Sequence, residues 1–325
     1  MATARQNRRR RILAGLDLGT NSTLFLLAEV SPDRSIRPLR HEVRTNDLGR
    51  GLNEDGYLSP ETIELNLNQL ADFRREAETL GAEAIRIGAT QALRVAKNAD
   101  VLIRRAKKEL NLDIRILSGE EEARLTYCGV VSALKNPQRT VLLADVGGGS
   151  TEIILGSGGE IITSVSLPVG AVTLQRRFIR QDPPRMSELQ ALRNHLENQI
   201  GDLAAFRRNP DADLIVCGGT ASALAAADLN LTAYQPEKIA GHRIPVERLR
   251  RFIADFSRMT LEQRCALPGI GKRIAEIILP GTMILDALLT KLEREDYITS
   301  ERGLRYGLLL EESGAPKSAK EKKFP

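Results

Sequence analysis

Short apolar runs alternate with glycine-bearing polar turns along this chain, and one such unit occurs twice. Residues 12–16 and 24–30 are mostly apolar, and between them lies Asp17-Leu18-Gly19-Thr20-Asn21-Ser22-Thr23. Residues 141–144 and 153–155 are apolar in the same way around Asp145-Val146-Gly147-Gly148-Gly149-Ser150-Thr151. Both segments fit D-x-G-x-x-S-T without a gap. Each predicts a strand, a tight glycine turn and a second strand.

The pattern beyond the first turn predicts a third strand over 35–44. Ser59-Pro60-Glu61 is a helix start, with an N-cap, a proline at the first position and an acid in the first turn. That helix runs to about residue 80, where Gly81 stops it. A strand is predicted at 84–89, helices at 91–96 and 99–110, and a strand at 114–117. Ser118 then opens a helix through Glu120, Glu121 and Glu122 to about residue 134. The second half repeats this order. Strands fall at 140–144, 152–155 and 161–167, and helices at 172–179 and 187–206, separated by Pro183-Pro184. A buried strand at 214–216 enters Cys217-Gly218-Gly219-Thr220 and an alanine-rich helix. Further helices are predicted at 246–256, 272–291 and 304–311. Each half approximates β-β-β-α-β-α-β-α, a duplicated domain whose period is far too long for a solenoid. The turn around Pro137 marks the crossing between halves.

At 325 residues the chain can fill two domain cores. The expected organisation is a basic tail at 1–11, domain I at 12–135, domain II at 136–299 and a basic tail at 313–325. A helix at about 300–312 packs back on domain I. The net charge of +5 sits in the tails, where Arg5, Arg8, Arg9, Arg10 and Arg11 and four lysines collect, and leaves the body slightly acidic. With aromatic content of 4% and no tryptophan, a base-stacking surface has little material, so no specific nucleic-acid role is expected. No run spans a bilayer, and no signal-peptide core follows the basic start, so a cytoplasmic protein without a membrane role is expected.

Cys128, Cys217 and Cys265 have neither zinc spacing nor an even disulfide framework and read as small core residues. His41, His195 and His242 are scattered, which leaves acid–base chemistry to carboxylates. In the two turns, glycine lets the backbone approach a ligand. Consecutive backbone N–H groups with serine and threonine hydroxyls form a concave anion site. The aspartate at each strand end can hold a divalent cation or position a water. One such turn reads as a hairpin that uses glycine and serine for geometry; two in register read as a clamp on a phosphate chain. On local physics alone, Glu120, Glu121 and Glu122 form a solvated helix start, with Glu120 spaced to pair with Arg124. Arg94 reads as a surface arginine, and Gly218-Gly219-Thr220 as a strand-to-helix turn.

The two hairpins and the later Gly-Gly-Thr turn resemble the fold shared by actin, sugar kinases and heat-shock chaperone ATPases. This implies an α/β protein of two duplicated ribonuclease H-like domains with a phosphate-binding cleft between them. The segments DLGTNS (17–22), GATQALRVA (88–96), ILSGEEEARLTYCGV (116–130), DVGGGSTE (145–152), SLPVGAVTL (166–174), CGGT (217–220) and GLRYG (303–307) narrow the match. Their order and spacing resemble the Ppx/GppA phosphatases, in the short two-domain form. These are exopolyphosphatases and guanosine pentaphosphate phosphohydrolases.

The resemblance implies roles residue by residue. Glu122 matches the general base, Asp145 the metal-binding aspartate, and Glu152 the glutamate that organises water or metal. Arg94 matches an arginine on phosphate. Asn21, Ser22, Gly147, Gly148, Gly149, Ser150 and Thr151 match the phosphate loops, and Gly218, Gly219 and Thr220 a third loop. Asp17 is the corresponding carboxylate of the first hairpin and a second candidate metal ligand. The implied cofactor is Mg²⁺, or another divalent cation such as Mn²⁺. The implied ligand is inorganic polyphosphate, with guanosine penta- or tetraphosphate as the alternative. Homodimerisation is common in the family. The expected activity is hydrolysis of terminal phosphoanhydride bonds. Conversion of pppGpp to ppGpp is the first alternative; a sugar-kinase-type phosphotransferase and a non-enzymatic sensor come after it. Departures from the family pattern at Thr23-Leu24, Ala240, Ile274 and Tyr306 bear on outer substrate contacts, not on the hydrolytic set.

Overall fold

The computed structural model describes residues 9–312; residues 1–8 and 313–325, most of the two basic tails, lie outside the described residues. The first half runs β1 (Arg11–Leu18), β2 (Ser22–Val30), β3 (Ile36–Thr45), α1 (Pro60–Thr79), β4 (Ala84–Ala89), α2 (Gln91–Val95), α3 (Ala99–Leu110), β5 (Ile114–Ile116) and α4 (Gly119–Val131). The second runs β6 (Val141–Val146), β7 (Thr151–Ser157), β8 (Glu160–Leu167), α5 (Ala171–Phe178), α6 (Met186–Ile200), α7 (Ala204–Arg207), β9 (Leu214–Cys217), α8 (Gly219–Asp228), α9 (Pro236–Ile239), β10 (Arg243–Pro245), α10 (Val246–Phe256), α11 (Leu261–Cys265), α12 (Lys272–Leu292), β11 (Asp296–Thr299) and α13 (Leu304–Glu312).

The strands form two sheets, ordered β3-β2-β1-β4-β5 and β10-β11-β9-β6-β7-β8. In each, three strands meander antiparallel, and the first of them continues into parallel partners. Without the added edge strand β10, the second sheet reproduces the first strand for strand. The fold is therefore two duplicated ribonuclease H-like domains.

Local chemistry explains most boundaries. The Ser59 side chain accepts from the Thr62 N–H and Pro60 occupies the first helical position of α1. Gly81, at φ 78°, follows its end. Ser118 and Glu121 close a capping box on α4.

Four expectations need correction. The helix expected over 187–206 is two, α6 and α7, because Gly201 takes φ 63° and ends the first. The strand β11 and its edge partner β10 were not foreseen. β11 is four residues long and follows a charged stretch, so periodicity had too few positions to register; Pro245 in β10 suits an edge. Arg11 already belongs to β1, and Arg9 and Arg10 ion-pair with Glu83 and Glu29, so the last three residues of the segment assigned to the basic tail are held against domain I. Of the cysteines, only Cys217 is fully buried, whereas Cys128 and Cys265 are half-buried.

The two sheets exchange helices. On the β1–β5 sheet, α1 and α3 cover one face through Leu67, Leu70, Phe73 and Leu102. The other face is covered by α13, through Tyr306, Leu309 and Leu310 against Leu13, Leu26 and Ile36. The β6–β11 sheet receives α4 on one face, through Tyr127, Val130 and Val131 against Leu143, Ile154 and Ile215. Helices α8, α10 and α12 build the main core on its other face.

Helices α4 and α13 cross where both lack side chains. A Cβ on Gly129 would fall on the Gly303 carbonyl oxygen, and one on Gly307 on the Leu125 carbonyl oxygen. Alanine at either site forces the helices apart, and overpacking of this kind costs about 1–3 kcal/mol or more. Gly129→Ala and Gly307→Ala should each lower the urea midpoint by a corresponding amount. An unchanged midpoint would mean that the helices do not pack this closely.

Candidate active site

The two hairpin turns are built alike. The Gly19 N–H donates to the Ser22 carbonyl at 3.0 Å, and the Gly147 N–H to the Ser150 carbonyl at 3.0 Å. The aspartates occupy matching register positions. Asp17 lies opposite Leu24 on β2 and Gly88 on β4; Asp145 lies opposite Glu152 on β7 and Cys217 on β9. From Gly88 the chain leads into α2, which carries Arg94. From Cys217 it leads through Gly218, at φ 105°, into α8.

The hairpins touch tip to tip. A Cβ on Gly148 would lie 3.2 Å from Thr20 Cβ and 3.5 Å from Asn21 Cβ, and one on Gly149 2.6 Å from Thr20 Oγ1. Only glycine allows this approach. The loop after β3 reaches across the same gap. Asp47 pairs with Arg273 at 3.3 Å, Arg50 with Glu276, and Arg176 donates to the Gly49 carbonyl.

Four carboxylates converge beneath the hairpins. Glu122, in the first turn of α4, is only 7% exposed, and Glu152 only 1%. This corrects the reading of Glu120–Glu122 as a solvated helix start. Only Glu120 is exposed; Glu121 closes the capping box, and Glu122 turns inward on the same face as Leu125, Thr126 and Gly129. Arg124 reaches Glu311 at 2.5 Å, not the Glu120 that its spacing suggested. Arg94, read locally as a surface arginine, is half-buried. It donates to Glu122 at 3.2 Å, to the Leu117 carbonyl at 2.6 Å and to Gln91 Oε1 at 2.8 Å. Burial pushes Asp17 up to about 7, helped by the negative charges of Asp145 and Glu152 and opposed by Arg305. Burial likewise lifts Asp145 to about 6, against a hydrogen bond from the Cys217 thiol. Glu122 and Glu152 stand well above the ordinary carboxylate range, first through burial and then through neighbouring acids.

The remaining expected residues fall into two groups. Gly218 lies against Asp145, where a Cβ would come 3.2 Å from Oδ1. Ser150 is buried in the second turn. The Thr151 hydroxyl is committed to the Val169 carbonyl at 2.6 Å, and Thr220 is buried facing Gly281 of α12; these two shape the loops from behind. Sequence reasoning missed three supports. Ser166 donates to Glu152 at 2.7 Å, Cys217 donates to Asp145, and Gln91 holds Arg94. All three lie inside the motif segments, which is the signal that was available. A surface groove of about 430 Å³ among α6, α10 and α12, lined by Arg193, Arg250 and Met283, contains none of these residues.

A divalent cation fits the donor set. Among the described residues no three carboxylate, histidine or cysteine groups form a ready cage. However, Asp17 Oδ1 is buried without a hydrogen-bond partner, and it feels the Asp145 charge. Mg²⁺ takes one or two carboxylates and completes its shell with water and phosphate oxygens. No helix of the described residues is long and apolar enough to cross a membrane.

The model of the Ppx/GppA phosphatase family matches residues 28–315. Exopolyphosphatase 2 of Mycobacterium tuberculosis is 29% identical over 317 residues, covering 93% of this chain and 98% of that protein. Exopolyphosphatase 1 of Mycobacterium leprae is 28% identical over 305 residues, covering 92% and 88%. The crystal structure of the Aquifex aeolicus Ppx/GppA family member superposes with a TM-score of 0.78 at 29% identity, covering 94% of this chain and 98% of that one. An exopolyphosphatase structure from Cytophaga hutchinsonii gives 0.82 at 25% identity, covering 94% and 100%.

The raised acids make a stability prediction. A carboxyl group with a raised folded pKa contributes fully below its unfolded value, roughly 4, and the contribution is lost as pH rises through the folded value. Without divalent cation, the protein should lose stability as pH rises above roughly 4 and through the folded values of about 6 for Asp145, about 7 for Asp17 and Glu152 and about 9 for Glu122. Glu122→Gln removes one of the competing acids. It should melt higher than wild type at the upper end of that range and show a shallower pH slope. Identical slopes in the two proteins would show that the acids do not share one low-dielectric site.

Proposed function

Because the chain belongs to the Ppx/GppA phosphatase family, we propose that it is an exopolyphosphatase, hydrolysing terminal phosphoanhydride bonds of inorganic polyphosphate. The observation that carries this reading is the pairing of buried Glu122 with Arg94 beneath two facing glycine hairpins. The exopolyphosphatase relatives that span nearly the whole chain support it.

Phosphoryl transfer to water needs bound phosphate oxygens, an oriented water and a base for its proton. The turns at Asn21-Ser22 and at Gly148–Ser150, with Gly218 and Gly219 beside them, present backbone N–H groups and hydroxyls to phosphate oxygens, while Gly147, Thr151 and Thr220 hold the loops in shape. Arg94 adds a fixed cation and orients Glu122. Glu122 takes the proton from the attacking water at its carboxylate. Glu152, held by Ser166, aligns that water. Asp145 and Asp17 would hold Mg²⁺ or Mn²⁺, which neutralises charge on the phosphate oxygens. Four acids facing a polyanion need such a counter-charge. Base catalysis requires Glu122 to be ionised, and burial together with the charges of Glu152, Asp17 and Asp145 pushes its pKa up to about 9, so activity should rise with pH as Glu122 itself loses its proton.

The same set would also act on the 5′ end of pppGpp. A phosphotransferase to a sugar would leave Glu122 without a task, and a sensor would not need the intact acid set. Phosphate release with Mg²⁺ separates the readings when long-chain polyphosphate and pppGpp are compared at matched terminal phosphate. Faster release from polyphosphate is expected. Glu122→Gln should slow it by about 10²–10⁴-fold, and Asp145→Ala should abolish it while the fold persists. Faster release from pppGpp would move the protein to alarmone metabolism. Release by Glu122→Gln close to wild type would remove that residue from the mechanism.

A further inference from the structure

The loop between β3 and α1 holds a fully buried asparagine that the reaction leaves without a task. The Asn46 side-chain amide donates to the Gly19 carbonyl at 2.8 Å and to Thr23 Oγ1 at 3.3 Å. Its backbone N–H donates to the Asn21 carbonyl at 3.3 Å. Three residues on, the Gly49 N–H donates to the Thr20 carbonyl at 2.7 Å. Three consecutive carbonyls of the first turn, 19 to 21, are thus drawn to one loop. In a trans peptide the N–H points opposite to the carbonyl of the same plane. The N–H groups of Thr20, Asn21 and Ser22 are therefore turned away from this loop, as an anion-binding concavity requires.

The second hairpin reaches the same result by another device. Its Gly147 and Gly148 carbonyls accept from the N–H groups of Ala171, Val172 and Thr173, at the start of α5. A helix terminus supports one turn, and an asparagine with its loop supports the other. Asn46 is itself fixed: its Oδ1 accepts from the Leu48 N–H at 3.1 Å and its carbonyl from Asn66 Nδ2 at 2.9 Å.

We propose that Asn46 is a positioning residue for phosphate binding, acting through the first hairpin by holding its carbonyls away from the ligand. The proposal rests on the polyphosphate reading and is tested by binding as well as turnover. Asn46→Asp keeps the acceptor for Leu48 and removes the donors; Asn46→Ala removes both; Thr23→Val removes the second acceptor without adding charge. Each variant is compared with wild type for KM and kcat on polyphosphate, for inhibition by inorganic phosphate, for polyphosphate binding by calorimetry, and for melting temperature. The two Asn46 variants should raise KM, the phosphate inhibition constant and the polyphosphate dissociation constant by about tenfold, with kcat changed far less. Thr23→Val should move the same three constants by a smaller factor. A lower melting temperature with unchanged KM and unchanged binding would reduce Asn46 to a structural residue and overturn the proposal. If wild type binds polyphosphate but does not hydrolyse it, and the Asn46 variants lose binding, the exopolyphosphatase reading falls and the positioning role stands. If wild type does not bind polyphosphate, both fall.

Discussion

The distance between the two sheets is the constraint on which the rest depends, and glycine sets it at both ends of the gap. Below, α4 and α13 cross through Gly129 and Gly307, where any Cβ would strike the partner backbone. Above, Gly148, Gly149 and Gly170 bring the second hairpin and the start of α5 against Thr20, Asn21 and each other. With both ends pinned, carboxylates from two separately folded sheets come close enough to raise one another's proton affinity. Glu122 arrives on a helix of the first half that packs on the second sheet, so it sits beside Glu152 by way of the helix exchange, not by chain proximity.

Such a site opposes folding. Burial disfavours each charged acid, and every neighbouring acid adds to the cost. The compensation is specific. Arg94 meets Glu122, Ser166 meets Glu152, the Cys217 thiol meets Asp145, and the Arg305 charge acts on Asp17. Glu152 is helped further by Ser150 and by the Arg94 charge, yet for all four acids these partners offset less than burial demands. The shortfall is what makes the cluster receptive to a divalent cation and to protons from water. Local strain of this kind is held by large apolar cores on either side, and functional sites are where it is usually found.

The turns, the N-caps at Ser59 and Ser118 and the duplication were legible because each is a local rule: a glycine spacing, a capping residue, a repeated pattern. β11 was not, since a four-residue strand buried through Tyr297 and Thr299 offers periodicity too little length and owes its existence to β9 beside it. Glu122 was illegible for a related reason. First-turn acids are normally solvated, and its burial follows from which face of α4 meets the second sheet. Likeness to a family singled it out where local physics did not. Asn46 escaped both routes, since its partners Gly19 and Thr23 lie more than twenty residues away and only the β2–β3 register brings them together.

The unequal support of the two hairpins has a mechanical consequence. Helix α5 holds the second turn through its N-terminal N–H groups, and Arg176 from the same helix donates to the Gly49 carbonyl. Gly49 in turn donates to the Thr20 carbonyl of the first turn. A single chain of hydrogen bonds therefore runs from one phosphate loop to the other through a peptide unit of each support. Asp47–Arg273 and Arg50–Glu276 brace the same loop against α12. These ion pairs are partly exposed and individually weak. The buried bonds of Asn46 stay within the first half. Duplication supplied two copies of the turn, and each copy is held in shape by a different support within its own half.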